Sequence, residues 1–180
     1  MITKIFGNSK DSIVLGWTPL HHDMGLIGNV LQPLYVGCPV YLMDPVTVVQ
    51  RPKVWLKTIS DRKITATGGP NFIFEHCVKR INTEKIGTLD LSGWVVAFNG
   101  SEPIKAAVMK QFTEKFAHLG FSERAFLPCY GMAEATLIVC GCPHQDKPTV
   151  SRLITADNDG SQPISITDEP EDKEIMDIPS

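Results

Sequence analysis

Trp94-Val95-Val96-Ala97-Phe98 is an unbroken apolar run that stops at Asn99-Gly100-Ser101-Glu102-Pro103. Beyond it Ile104, Ala107, Val108, Phe112, Phe116 and Leu119 recur at helical spacing. A short apolar run of this kind suits a strand buried on both faces, and the period after it demands a helix with one apolar stripe. Gly120 is placed to close that helix. A strand that passes through a polar loop into a helix is half of a βαβ unit, the element from which parallel sheets are built.

The pattern repeats outward from this unit. Ile64-Thr65-Ala66-Thr67 reads as a strand ending in Gly68-Gly69-Pro70, and Asn71 is placed to cap a helix through Arg80. Ile13–Trp17 and Pro39–Met43 read as strands, with a helix over Gly25–Tyr35 between them that Gly37 stops. Pro52 suits the first turn of a helix whose Val54, Trp55, Thr58 and Ile59 share a face. Ala125–Pro128 and Leu137–Cys140 are short strands. The series predicts an α/β fold, a mainly parallel sheet flanked by helices on both faces, over residues 1–145. Residues 146–180, rich in Asp, Ser, Thr, Pro and Gly, are expected to form an acidic, irregular segment or connection.

Composition narrows the function classes. The 180 residues are 43% hydrophobic and 21% charged, enough to fill one core and too apolar for wholesale disorder. Eight acids and one base between Ile154 and Ser180 give that stretch a charge of -7, so the whole-chain value of -3 leaves +4 for residues 1–153. That mild basicity suits a small anionic substrate and gives no sign of nucleic-acid binding. No apolar run approaches the roughly 18–20 residues of a membrane span, and the first residues do not read as a signal peptide. The expected compartment is cytoplasmic.

Five cysteines, with no C-x-x-C pair, read as reduced thiols. Cys140, Cys142 and His144 alternate along one stretch, which suggests a metal. Strand neighbours on one face stand about 6–7 Å apart, however, too far to share a zinc with bonds near 2.0–2.3 Å without a sharp turn.

Four polar or glycine-rich loops follow predicted strands: Leu20–Gly25, Gly68–Asn71, Asn99–Pro103 and Tyr130–Glu134. Open α/β sheets bind ligands beyond the carboxyl ends of their strands, so four such loops on one edge imply a composite site. Singly, each has an ordinary explanation. Glycines end strands as turn residues, Glu102 suits a helix start, and Tyr130 or Glu134 suits packing or solvent.

The run Trp17-Thr18-Pro19-Leu20-His21-His22-Asp23-Met24-Gly25-Leu26-Ile27-Gly28 resembles the W-x-P-x-x-H-D-M-G-L-I-G stretch of fatty acyl-AMP ligases, members of the adenylate-forming superfamily. Further matches follow in order: Leu31–Tyr35, Gln50-Arg51-Pro52, Gly68–Phe72, Ala97–Pro103 and Phe126–Thr136.

The resemblance implies activation of a fatty acid by ATP, giving acyl-AMP and pyrophosphate, with transfer to an acyl carrier protein or polyketide synthase. It implies Glu134 as the magnesium (Mg2+) carboxylate and His22 as the site histidine beside the acyl carboxylate and phosphate. It likewise implies Tyr130 as the aromatic on adenine, with Gly131 beside it. Ser101, Glu102 and Pro103 match the loop along the nucleotide, and Gly68, Gly69 and Phe72 match the acyl-pocket wall, where absent side chains leave room.

Ala133 stands where many superfamily members have Thr, and fatty acyl-AMP ligases share that alanine. The sequence shows no phosphate loop with its lysine, no downstream ribose-binding Asp motif and no lysine-bearing small domain. It therefore reads as an internal piece of the large N-terminal domain of a longer ligase, expected to be inactive alone. Three rival readings remain open. One is a long-chain acyl-CoA synthetase piece, and another is a non-catalytic module that binds nucleotide or acyl ligand. The third is a metal-dependent hydrolase using His21 and Asp23 with His76, His118 or His144.

Overall fold

The computed structural model describes residues 1–142, 146, 152–154 and 165–167. Its six-stranded sheet comprises β1 (Val14–Gly16), β2 (Val40–Leu42), β3 (Ala66–Gly69), β4 (Val96–Asn99), β5 (Phe126–Gly131) and β6 (Ile138–Gly141), in the order β2-β1-β3-β4-β5-β6. β1 to β5 are parallel and β6 returns antiparallel to β5, so the mainly parallel sheet expected from the sequence is present.

Helix α1 (Ile2–Phe6) precedes β1, and α2 (Gln32–Val36), α3 (Pro45–Gln50), α4 (Pro52–Asp61), α5 (Asn71–Arg80) and α6 (Ala106–Phe116) lie between the strands. Alternation along the strands divides the core in two. Leu15, Ala97 and Phe126 join Trp55 of α4, Phe74 of α5 and Phe112 of α6 in one cluster. Val14, Val96, Phe98 and Leu127 join Phe6 of α1 and Met24 in the other. Helices therefore cover both faces, as a parallel sheet requires.

The first cluster is dominated by rings. Trp55 and Trp94 meet edge-on at 5.2 Å, Phe74 meets Phe126 at 5.1 Å, and Phe112 meets Phe121 at 4.9 Å. Such offset contacts add to the area each ring buries. β3, the sequence Ala-Thr-Gly-Gly, is almost without side chains and receives the indoles. Trp94 Nε1 donates to Thr67 O at 3.1 Å, Trp55 Nε1 to Thr67 Oγ1 at 3.2 Å, and Trp17 Nε1 to Gly68 O at 2.7 Å.

Several boundaries differ from the sequence reading. β3 starts two residues late because the Ile64 amide turns back to Ile59 O, and pairing begins only beyond it. Asn71 is the first residue of α5 and not its cap; its Oδ1 accepts from Lys105 N at 3.2 Å instead. The helix expected over Gly25–Tyr35 is a π-helical stretch, Met24–Leu31, that runs into α2. There Asn29 is buried, donates to Thr18 Oγ1 at 2.7 Å, and occupies the space a side chain at Gly16 would need. α1 and α3 are too short to show a period; α3 is capped by Asp44, whose Oδ2 accepts from Thr47 N at 2.8 Å.

Residues Met1–Pro148 form one compact unit and Thr149–Ser180 a second. Within the stretch expected to be irregular, Arg152–Ile154 (β7) pairs antiparallel with Ser165–Thr167 (β8). These short runs carry strand-forming Ile and Thr, which the surrounding acids mask in composition. Among the described residues, no helix is long and apolar enough to cross a membrane.

Thr67→Val keeps the volume at the centre of β3 but removes the acceptor of the Trp55 indole. The buried donor left unpaired should lower stability by about 1–3 kcal/mol. Urea unfolding should show a lower midpoint at an unchanged slope; an unchanged midpoint would deny that bond a role.

Candidate active site

The loops containing His22, Pro70, Ser101 and Glu134 leave the carboxyl ends of β1, β3, β4 and β5. These strands are mutually parallel, so all four loops emerge on one edge of the sheet. A cavity of about 360 Å³ opens there. Its apolar part is made by Phe6, Met24, Phe98, Leu137 and Ile138, and its polar part includes His21, His22, Asp23 and Ser101.

The histidine loop turns immediately after β1, where Gly25 has no room for a side chain: a Cβ would lie 2.0 Å from Pro19 O. Asp23 caps the π-helical stretch by accepting from Met24 N at 2.7 Å. Its Oδ1 also stands 2.5 Å from His22 Nδ1. Met24 N also donates to that nitrogen, at 3.2 Å, so the Nδ1 edge of the ring is held on the loop and Nε2 is its other polar atom. Ser101 follows β4 in a left-handed conformation, φ 72°, and its hydroxyl contacts Met24 Sδ at 3.9 Å. A non-glycine residue holds such a backbone only where its surroundings impose it.

The Tyr130–Glu134 loop is shaped by a tight return. Met132 N donates to Leu137 O at 2.8 Å, and a Cβ on Gly131 would fall 1.9 Å from that same oxygen. Gly131, Met132 and Ala133 line the cavity. Tyr130 is 55% exposed beside them, and Glu134 is exposed in the short turn Ala133–Ala135.

The remaining sequence-derived residues stand outside the cavity lining. Glu102 and Pro103 are exposed, and Glu102 Oε1 accepts from Phe72 N at 2.5 Å. Gly68 and Gly69 are buried in β3, while Phe72 packs edge-on against Trp17 at 6.3 Å. The room expected at the two glycines is already taken. A Cβ on Gly68 would meet Phe98 O at 2.0 Å, and one on Gly69 the Trp17 ring at 2.4 Å.

Sequence reasoning did not single out Phe6, Met24, Phe98 or Cys129, which also line the cavity. Asp23, Met24, Phe98 and Cys129 lay inside the quoted matches without a role assigned from the resemblance, whereas Phe6 sits on a helix with no periodic signal. Cys129 Sγ contacts Asn99 O at 3.5 Å, and burial, with the Cys140 thiol adding, pushes its pKa up to about 11. Among the described residues, no three His, Cys, Asp or Glu side chains are grouped to hold a metal. His144 of the Cys140–Cys142 motif lies outside the described residues.

The AMP-binding enzyme model matches residues 1–174. The chain belongs to the AMP-binding enzyme family. It is 44% identical over 157 residues to TtuA of Teredinibacter turnerae, a medium-chain-fatty-acid–[acyl-carrier-protein] ligase, covering 87% of this chain and 24% of that relative. JamA of Moorena producens, which carries the same description, is 43% identical over 84% of this chain and 26% of its own length. The fatty acyl-adenylate ligase of Legionella pneumophila, solved with acyl adenylate and pyrophosphate, superposes with a TM-score of 0.86 at 41% identity. That match covers 92% of this chain and 29% of the other. The AMP-binding family chain thus resembles fatty-acid ligases, as its motifs implied, and spans about a quarter of the relatives' length.

The raised Cys129 pKa keeps its thiol protonated throughout the neutral range, and only thiolate attacks disulfide reagents. With the folded chain at pH 8, Ellman's reagent should therefore modify exposed Cys140 well before Cys129 or fully buried Cys77. Mass mapping of the first modified thiol gives the answer, and Cys129 reacting first would contradict it.

Proposed function

We propose that this chain is part of the large N-terminal domain of a fatty acyl-AMP ligase. The parent joins a fatty acid to ATP and passes the acyl group to an acyl carrier protein or polyketide synthase in the cytoplasm. The observation that carries this reading is the cavity itself: an apolar chamber with a polar wall, at the strand edge where α/β sheets bind nucleotides.

In the proposed reaction a fatty carboxylate oxygen attacks the α-phosphorus of ATP. The new O–P bond forms as the bond to pyrophosphate breaks. Such a displacement needs positioning and charge neutralisation more than covalent help from the protein. His22, held by Asp23, presents its ring to the cavity beside the acyl carboxylate and phosphate. Phe6, Met24 and Phe98 offer apolar surface to the alkyl chain. Phe72 adds to the acyl wall, while Gly68 and Gly69 act by letting Phe98 and Trp17 close against β3. Tyr130, its ring exposed, stacks on adenine next to Gly131, and the Ser101–Glu102–Pro103 loop borders the nucleotide from the neighbouring strand.

Glu134 fits a magnesium site of the kind made by one protein carboxylate plus phosphate oxygens, because its carboxylate is exposed beside the cavity lining. Magnesium, when bound, neutralises phosphate charge. Without the phosphate-loop lysine, we propose that residues 1–180 alone do not turn over.

In the intact parent, Glu134→Gln should cost about 2–4 kcal/mol in kcat/KM, the scale of losing one preorganised electrostatic group. Tyr130→Ala should chiefly raise the KM for ATP, by about 1–3 kcal/mol of stacking. ATP–pyrophosphate exchange with fatty acid measures both, with thermal midpoints recorded alongside. Full turnover of Glu134→Gln at saturating magnesium would remove its assigned role. The 180-residue chain should show no exchange above a no-protein control.

A further inference from the structure

Glu102 sits in the loop between β4 and α6, yet its carboxylate is engaged by another element. Oε1 accepts from Phe72 N, in the first turn of α5, at 2.5 Å. Helix α5 begins after Pro70 with no side chain of its own flanking residue as a cap. The Phe72 N–H is one of the donors that a helix leaves without a partner in its own first turn. A carboxylate there satisfies it and also meets the positive end of the helix dipole.

Three further bonds join the same pair of segments. Asn71 Oδ1 accepts from Lys105 N at 3.2 Å and from Asn99 Nδ2 at 3.4 Å, and Gly100 N reaches Gly69 O at 3.4 Å. Asn71 and Asn99 are both buried. The β4–α6 loop is therefore fastened at its start by Asn99 and Gly100, in its middle by Glu102 and at its end by Lys105. The partners in these four bonds all lie within Gly69–Phe72. Between the Gly100 and Glu102 ties stands Ser101, which lines the cavity with its backbone at φ 72°.

We propose that Glu102 is a positioning residue: its bond to the Phe72 N–H locks the Ser101–Pro103 loop onto the start of α5. The lock couples the nucleotide side of the site to the acyl side. The carboxylate acts through the protein and is not itself a nucleotide ligand. The coupling rests on the nucleotide and acyl assignments proposed above, whereas the lock does not.

Two measurements separate these claims. In the 180-residue chain, amide exchange at Phe72 read by NMR should quicken about tenfold or more in Glu102→Ala, with the Ala97 amide of β4 unchanged. Glu102→Gln keeps an acceptor of the same length and should give an intermediate rate; it also serves as the readout should Glu102→Ala not fold. In the intact parent, Glu102→Ala should raise the KM for ATP and for fatty acid together, each about five- to tenfold, with a smaller change in kcat. Glu102→Gln should recover most of that loss.

Unchanged Phe72 exchange in either variant that folds would overturn the lock. So would a rise in the ATP KM alone with Glu102→Gln as damaging as Glu102→Ala, the behaviour of a direct nucleotide ligand. If the unaltered parent forms no acyl-adenylate, the functional reading falls, and Phe72 exchange still decides the lock.

Discussion

The absence of side-chain bulk on β3 is the constraint around which this molecule is organised. A central strand normally carries large β-branched residues, yet Ala66-Thr67-Gly68-Gly69 has none but Thr67. The missing volume is filled from outside the strand. Trp17 closes over Gly69, Phe98 closes over Gly68, and the indoles of Trp17, Trp55 and Trp94 bond to Thr67 and Gly68. Because those indoles belong to three different segments, β3 sets the distance between β1, α4 and β4. A larger residue at Gly68 or Gly69 would displace the walls of the edge where the loops emerge, not only the strand.

Backbone strain lies toward that edge. Among the described residues, three non-glycine residues have positive φ, namely Lys63, Ser101 and Thr136. Two of them belong to the loops around the cavity: Ser101 after β4 and Thr136 in the return from β5 to β6. Conformations of this kind cost on the order of 1–3 kcal/mol each and persist where neighbouring contacts leave no alternative. Ser101 has such neighbours in Gly100, pressed against Cys129 O, and in Glu102, bonded to α5. The rigid face of the molecule is its aromatic cluster, and its stored strain sits where loops meet the cavity.

The alternation of apolar runs and helical periods was enough to give the layer order and the parallel sheet, because burial on both faces leaves a direct signature in residues such as Trp94–Phe98. Strand ends were less legible. Ile64 looks like strand by composition, but its amide belongs to the turn after α4, and only a hydrogen-bond partner distinguishes the two. The loops of the candidate site were visible as polar and glycine interruptions. Its apolar chamber was not, since Phe6, Phe98 and Leu137 come from separate elements and reach one cavity only through packing. Glycine was the least transparent signal: Gly68 and Gly69 suggested open space, and the fold uses them for close approach.

The bonding of the indoles to β3 has a spectroscopic consequence. The chain contains three tryptophans, and each of them donates to that single strand. Intrinsic fluorescence is therefore a local probe of β3 and its immediate neighbours. Trp55 and Trp94 lie in the interior and follow only the integrity of the aromatic cluster. Trp17, which touches Gly69 and faces Phe72, is the emitter nearest the candidate site. A ligand that shifts the emission of the folded chain is thus felt at Trp17, beside the junction of β3 and α5, and one that leaves emission untouched is held elsewhere on the edge.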